Sequence, residues 1–140
     1  MNVNPTKRIL VTALLLFLAA SIAAAWGSSK EWKRDGRGVL LAIAQAPPTA
    51  REQANPYEGQ PAAVRAGAKL YAQHCAECHG TDGRGTNRAA DLHAPDVQRA
   101  TPGELQWFLR DGNLARGMPS WSGLPEQRRW QIVAYIKTLR

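Results

Sequence analysis

The sequence predicts an all-α domain of three or more helices in its second half, preceded by an N-terminal hydrophobic helix and a Pro-rich linker. Three observations carry this expectation. Apolar residues recur at spacings of three and four in three separate stretches that open on Pro61, Pro102 and Pro125. Residues Ile9 to Trp26 run for 18 positions without a charge. Between the two regions, "APPTAREQANPYEGQP" is rich in proline and poor in apolar side chains.

The chain begins with "MNVNPTKR" and continues into "ILVTALLLFLAASIAAAW". A basic pair ahead of such a run marks residues 1–26 as a signal peptide or a membrane anchor. The "AAA" at 23–25 supplies a small-x-small cleavage site, while a spanning helix needs about 20 apolar residues. On Lys and Arg alone, Lys7 and Arg8 precede the run, whereas Lys30, Lys33, Arg34 and Arg37 follow it. That count argues against export. A second apolar patch, "VLLAIAQA" at 39–46, is too short to span and reads as an interfacial segment or part of an unusual leader. Residues 27–60 are expected to be a polar, Pro-rich linker, and residues 61–140 the folded domain.

The formal charge of +7 invites a nucleic-acid reading, but it is divided. Residues 1–54 hold seven Lys/Arg against three Asp/Glu, and residues 55–140 hold eleven against eight, so more than half of the excess lies outside the domain. Within the domain both signs are interspersed, as on a generic solvated surface, and no nucleic-acid partner is expected.

The first domain helix is expected from about Pro61 to His74, with Val64, Gly67, Ala68, Tyr71 and Cys75 on one face. A glycine inside a helix costs about 1 kcal/mol relative to alanine, so Gly67 suggests close approach of another element. The second helix is announced by Thr101-Pro102-Gly103-Glu104, which has the spacing of a capping box. Leu105, Phe108 and Leu109 share its apolar face, and Asp111-Gly112-Asn113 stops it. The last helix opens at Pro125 and carries Trp130, Ile132, Val133, Tyr135, Ile136 and Leu139 to the C-terminus, an apolar width suited to packing on two sides.

The chemistry lies in "QHCAECHG", where the only two cysteines, Cys75 and Cys78, are followed at once by His79. A disulfide between them would close too small a loop to constrain the unfolded chain much. Three chemistries use such a pair. In c-type haem attachment both thiols add across the haem vinyl groups and the adjacent histidine binds the iron. A thioredoxin-like redox pair needs a strand leading in and a long helix leading out. Here the lead-in is helical and the lead-out, "GTDGRG", is a glycine-rich loop. A zinc site needs four ligands. His74, His79 and His93 supplement the thiols, but no second C-x-x-C or H-x-x-H exists. Haem attachment fits best.

Met118 is the only methionine besides the initiator. Methionine usually fills a core from a helix face, yet this one sits in "ARGMPSWSG", between Gly117 and Pro119, where neither helix nor central strand is expected. That setting suits a thioether held at a fixed place over a metal.

On these residues the chain resembles the class I c-type cytochromes, and most nearly the small bacterial "cytochrome c, mono- and dihaem" type. The likeness covers about residues 55–140 and rests on "NPYEGQPAAVRAGAKLYAQHCAECHGTDGRG", "GELQWFLRDGNLARGMPSW" and "LPEQRRWQIVAYIKTL". It implies the small class I cytochrome c fold, three or more helices wrapped around one covalently bound haem. It also implies thioether links at Cys75 and Cys78, His79 as proximal and Met118 as distal ligand, and a crossing of Gly67 and Tyr71 with Ile132 and Tyr135. A proline carbonyl that holds the proximal histidine is implied at Pro95. The run from Thr86 to Asp91 lacks the longer loop of mitochondrial-type members, which leaves Arg116, Trp107 and Trp121 as candidates for the haem propionates; His74 and His93 are spare imidazoles able to replace Met118.

The resemblance implies an electron carrier, not an enzyme, with haem c as cofactor. It would shuttle one electron between redox partners such as a dehydrogenase, an oxidase or other cytochromes. The alternative is a haem subunit docked permanently on a periplasmic dehydrogenase or oxidase as its electron outlet. Haem attachment of this kind occurs outside the cytoplasm, which outweighs the Lys/Arg count. The expected location is the periplasm or the outer face of the cytoplasmic membrane, with residues 9–26 as a possible membrane attachment.

Overall fold

The computed structural model describes residues 41–140, and the expected signal or anchor at 1–26 lies outside them. The described residues are helical, with no strand beyond a single bridge between Asn113 and Met118. Among the described residues, a helical stretch at 41–43 is followed by α1 (Pro48–Arg51), α2 (Pro61–His74), α3 (Ala76–His79), α4 (Pro95–Arg99), α5 (Pro102–Asp111) and α6 (Glu126–Ile136), with a 3-10 turn at Leu114–Arg116. No helix among the described residues is long and apolar enough to cross a membrane.

The crossing of α2 with α6 is the centre of the fold. A Cβ on Gly67 would lie 1.9 Å from the Gln131 carbonyl oxygen, so only glycine lets the two backbones approach this closely. One turn further on, Tyr71 meets Tyr135 with ring centroids 5.2 Å apart and planes tilted by 52°. Ile132 and Val133 are buried in the same contact, each contributing about 2 kcal/mol by leaving water. Gly67 and Tyr71 thus cross the last helix where the family resemblance implies.

Helix α5 begins at the expected capping box: the Glu104 amide donates to Thr101 Oγ1 and the Thr101 amide to Glu104 Oε2. Its apolar face, Leu105, Phe108 and Leu109, joins the core with Val97 of α4 and Trp130 of α6. Helix α6 is shorter than the apolar pattern suggests. Thr138 turns its Oγ1 back onto the Tyr135 carbonyl, and the last amides bond three residues back instead of four, a competition that ends helices. Leu139 still packs against the core from beyond the helix end.

Residues 47–60 differ from a semi-extended linker. Ala50 and Asn55 are buried, Arg51 Nε donates to Glu104 Oε1 at 2.7 Å, and Asn55 Nδ2 donates to the Trp130 carbonyl at 3.0 Å. A Cβ on Gly103 would lie 1.9 Å from the Ala50 carbonyl oxygen. Small side chains, one glycine contact and polar bonds dock this segment on α5 and α6, and none of these produces an apolar periodicity. Within the apolar patch at 39–46, Ile43 is 2% exposed and belongs to the core instead of an interfacial segment.

Candidate functional site

Cys75, Cys78 and His79 lie on one turn. Cys75 caps the C-terminus of α2, and its carbonyl accepts from the amides of Cys78 and His79, so α3 starts where α2 ends. Neither cysteine is paired in a disulfide, and both are partly buried. Burial, with the neighbouring Cys78 second, pushes the Cys75 thiol up to about 11, so it is protonated at neutral pH and is no activated thiolate.

The carbonyls of Cys78, His79 and Gly80 are each taken by a different donor. Thr86 Oγ1 donates to Cys78 at 2.6 Å, the Gly85 amide to His79 at 2.8 Å, and the buried Tyr71 hydroxyl to Gly80 at 2.7 Å. Without these bonds the end of α3 would leave orphan acceptors. Gly80 and Gly85 adopt positive φ angles of 82° and 79°, which lets the loop fold back to supply the donors.

His79 is fixed through its ring. Nδ1 lies 2.9 Å from the Ala90 carbonyl oxygen, and because a carbonyl only accepts, Nδ1 carries the proton and Nε2 the lone pair. Nε2 has no hydrogen-bond partner among the described residues. Burial lowers the imidazole below its ordinary value, against the opposing pull of the Ala90 bond, and so favours the neutral form that binds metals. The carbonyl expected from Pro95 is therefore supplied by Ala90: Pro95 instead opens α4 on the surface. A carbonyl is common to every residue, and the contact depends only on where the 83–92 loop turns, which the Leu92 amide bonded to the Gly83 carbonyl determines.

Met118 is partly buried and packs against the same core cluster as Cys75. Its amide and carbonyl pair with the carbonyl and amide of Asn113 at 3.1 and 2.8 Å, and Gly117, at φ 85°, closes the loop between them. Three residues on, Trp121 lays its ring 5.2 Å from the His74 ring, and its amide donates to the Leu109 carbonyl. The methionine loop is thereby brought against the end of α2, next to Cys75. The other spare imidazole, His93, donates through Nε2 to the Asp82 carbonyl at 2.8 Å.

The donor set can be tested against the three chemistries. No strand leads into the cysteine pair, and no group of three or more His, Cys, Asp or Glu among the described residues is placed to hold a metal ion. Two neighbouring thiols, an imidazole with an oriented and uncommitted Nε2, and a loop thioether packed on the same core fit a covalently attached haem.

Residues 62–136, more than half of the chain, match the family described as "Cytochrome C oxidase, cbb3-type, subunit III". The chain belongs to this family of c-type cytochromes. Its cofactor is haem c. The cytochrome is also similar to the quinohemoprotein alcohol dehydrogenase ADH-IIG of Pseudomonas putida, at 33% identity over 107 residues. That match takes in 69% of the cytochrome but spans only 13% of the dehydrogenase. No solved structure matches the cytochrome significantly.

Two features of the site escape sequence reasoning. The Ala90 carbonyl has no residue signature. Arg129, counted with the solvated charges, is buried on the carbonyls of the 121–124 segment; its apolar neighbours in sequence, Trp130, Ile132 and Val133, are the one available signal.

Proposed function

We propose that Cys75 and Cys78 form the two thioether links of a single haem c, that His79 is its proximal iron ligand and Met118 its distal one, and that the protein is an electron carrier without catalytic activity of its own. The single observation that carries this reading is the His79 ring, whose Nδ1 is held by the Ala90 carbonyl at 2.9 Å so that Nε2 presents its lone pair.

Bound there, the haem supplies a reversible one-electron couple. The chain's residues do the rest: the thiols anchor it, and the turn 78–80 fixes the imidazole through its bonded carbonyls. The His79 imidazole and the Met118 thioether would together exclude substrate from the metal, and a soft thioether would favour the ferrous state. Such a site changes oxidation state with little ligand movement.

Residues 1–26 act as signal peptide or anchor, and the haem domain works in the periplasm or on the outer face of the cytoplasmic membrane, exchanging electrons with redox proteins. A second reading, favoured by the similarity to the quinohemoprotein alcohol dehydrogenase, is a haem subunit docked on a dehydrogenase as its electron outlet. Enzyme that stays bound through purification would select it; a monomer reduced by several donors would select the free carrier.

The test is the Met118→Ala variant of the holoprotein. Loss of the weak long-wavelength sulfur-to-iron band of the oxidised form, with carbon monoxide binding gained by the reduced form at neutral pH, is the expected result. A wild-type protein that already binds carbon monoxide contradicts the reading and favours gas or peroxide chemistry.

A further inference from the structure

Arg129 is the buried side chain that neither the core nor the proposed ligands explain. It lies on α6 and is 7% exposed. The ion pairs among the described residues are Arg51–Glu104, Arg88–Glu77, Arg99–Asp96 and Arg110–Asp111, and none of them includes it. Taking a guanidinium out of water without a carboxylate is costly, and a leucine or methionine at this position would avoid the cost.

What the guanidinium touches is one short segment. Nη1 donates to the Leu124 carbonyl, to the Ser122 carbonyl at 3.3 Å and, more weakly, to the Trp121 carbonyl at 3.5 Å, while Nε is buried without a partner. These carbonyls begin three residues after Met118. The segment has further ties in the Trp121 amide to Leu109 and the Trp121 ring to His74, and it runs through Pro125 directly into α6, where Arg129 is the side chain that bonds its carbonyls.

We propose that Arg129 is a positioning residue for the distal ligand: its guanidinium draws the carbonyls of 121–124 onto α6 and so fixes where the preceding loop presents the Met118 thioether. This rests on the reading of Met118 as ligand. A partner that orients a ligand from behind typically changes the metal–ligand bond about tenfold or more when removed, and a cationic fork that reaches several carbonyls is suited to that task.

Four holoproteins decide the matter: wild type, Met118→Ala, Arg129→Met and, on the same helix but in the core, Ile132→Val. Arg129→Met is expected to retain covalent haem and helix content, to lose much of the sulfur-to-iron band, and to bind carbon monoxide roughly tenfold more readily when reduced. Ile132→Val is expected to keep the wild-type band. A full-strength band and no carbon monoxide binding in Arg129→Met overturn the proposal, and so does an equal loss of the band in Ile132→Val, which would mark the effect as general loosening. If Arg129→Met does not mature, Arg129→Gln, polar but shorter and neutral, is judged by the same results. A band that persists in Met118→Ala defeats the ligand reading itself, separately from the role of Arg129.

Discussion

The turn that bears Cys75, Cys78 and His79 and the loop that bears Met118 are built to different standards of rigidity. On the histidine side, three consecutive carbonyls and the imidazole Nδ1 each have a partner, Gly85, Thr86 and Ala90 from the following loop and Tyr71 from α2. Behind it, Tyr71 is wedged in the glycine-permitted crossing of α2 and α6. On the methionine side, the loop closes on itself through the Asn113–Met118 bridge, and the flanking 114–117 stretch is exposed, with Leu114 82% so. The difference teaches where each proposed ligand gets its position: His79 from a bond to its own ring, Met118 from the bridge to Asn113 and from ties made beyond it, at Trp121 and Arg129.

The largest effect tests whether either side stands without its cofactor. Below about 80 residues a core alone is marginal, and Cys75→Ser with Cys78→Ser removes both proposed anchors. The expected result is a colourless chain that has lost most of its far-ultraviolet circular dichroism; retained helix content would mean that the helices hold the site together unaided. Next in size is Gly67→Ala, which drives a Cβ into the Gln131 carbonyl and should destabilise the holoprotein by about 3 kcal/mol in urea titration. A loss below about 1 kcal/mol would show that the crossing has slack.

A smaller step, Tyr71→Phe, removes the hydroxyl bonded to Gly80 and should cost about 1 kcal/mol. Because the other bonds of the turn remain, the sulfur-to-iron band should not change. A lost band would mean that the two sides are coupled more tightly than their separate bonds suggest.

The smallest effect lies outside both sides. Lys137 donates to the Gln98 and Ala100 carbonyls, and its burial lowers its pKa. A base lowered by folding binds more protons in the unfolded chain over the interval between its folded and unfolded values. Stability therefore rises with pH across that interval, whose upper end is the ordinary lysine value of about 10.4. The urea midpoint of wild type relative to Lys137→Met should climb slightly from pH 8 towards that value; a falling difference would reverse the assignment.

Much of this was legible in the sequence because it is written in side chains. The span of α2, the capping box at Thr101, the close approach at Gly67 and the loop setting of Met118 each follow from a residue type that physical chemistry confines to few roles. What was not legible is carried by backbone. Any residue can present a carbonyl, so the partner of His79 was sought at Pro95 and found at Ala90. In the sequence Arg129 reads as one of many surface charges, because burial on backbone carbonyls has no residue signature. The packing of residues 47–60 was hidden for the same reason, since Ala50, Gly103 and Asn55 dock by contact and hydrogen bond instead of by apolar mass.

The central claim is that one haem is held by both cysteines and lies between His79 and Met118. The most direct measurement is an absorption spectrum of the purified protein, oxidised and reduced, after acid-acetone extraction and again in alkaline pyridine. The account predicts colour that stays with the protein, a pyridine spectrum of haem joined through two thioethers, and the weak sulfur-to-iron band in the oxidised form. Haem that extracts into acetone, or a colourless protein, would contradict it and turn attention to zinc and thiol exchange at Cys75 and Cys78.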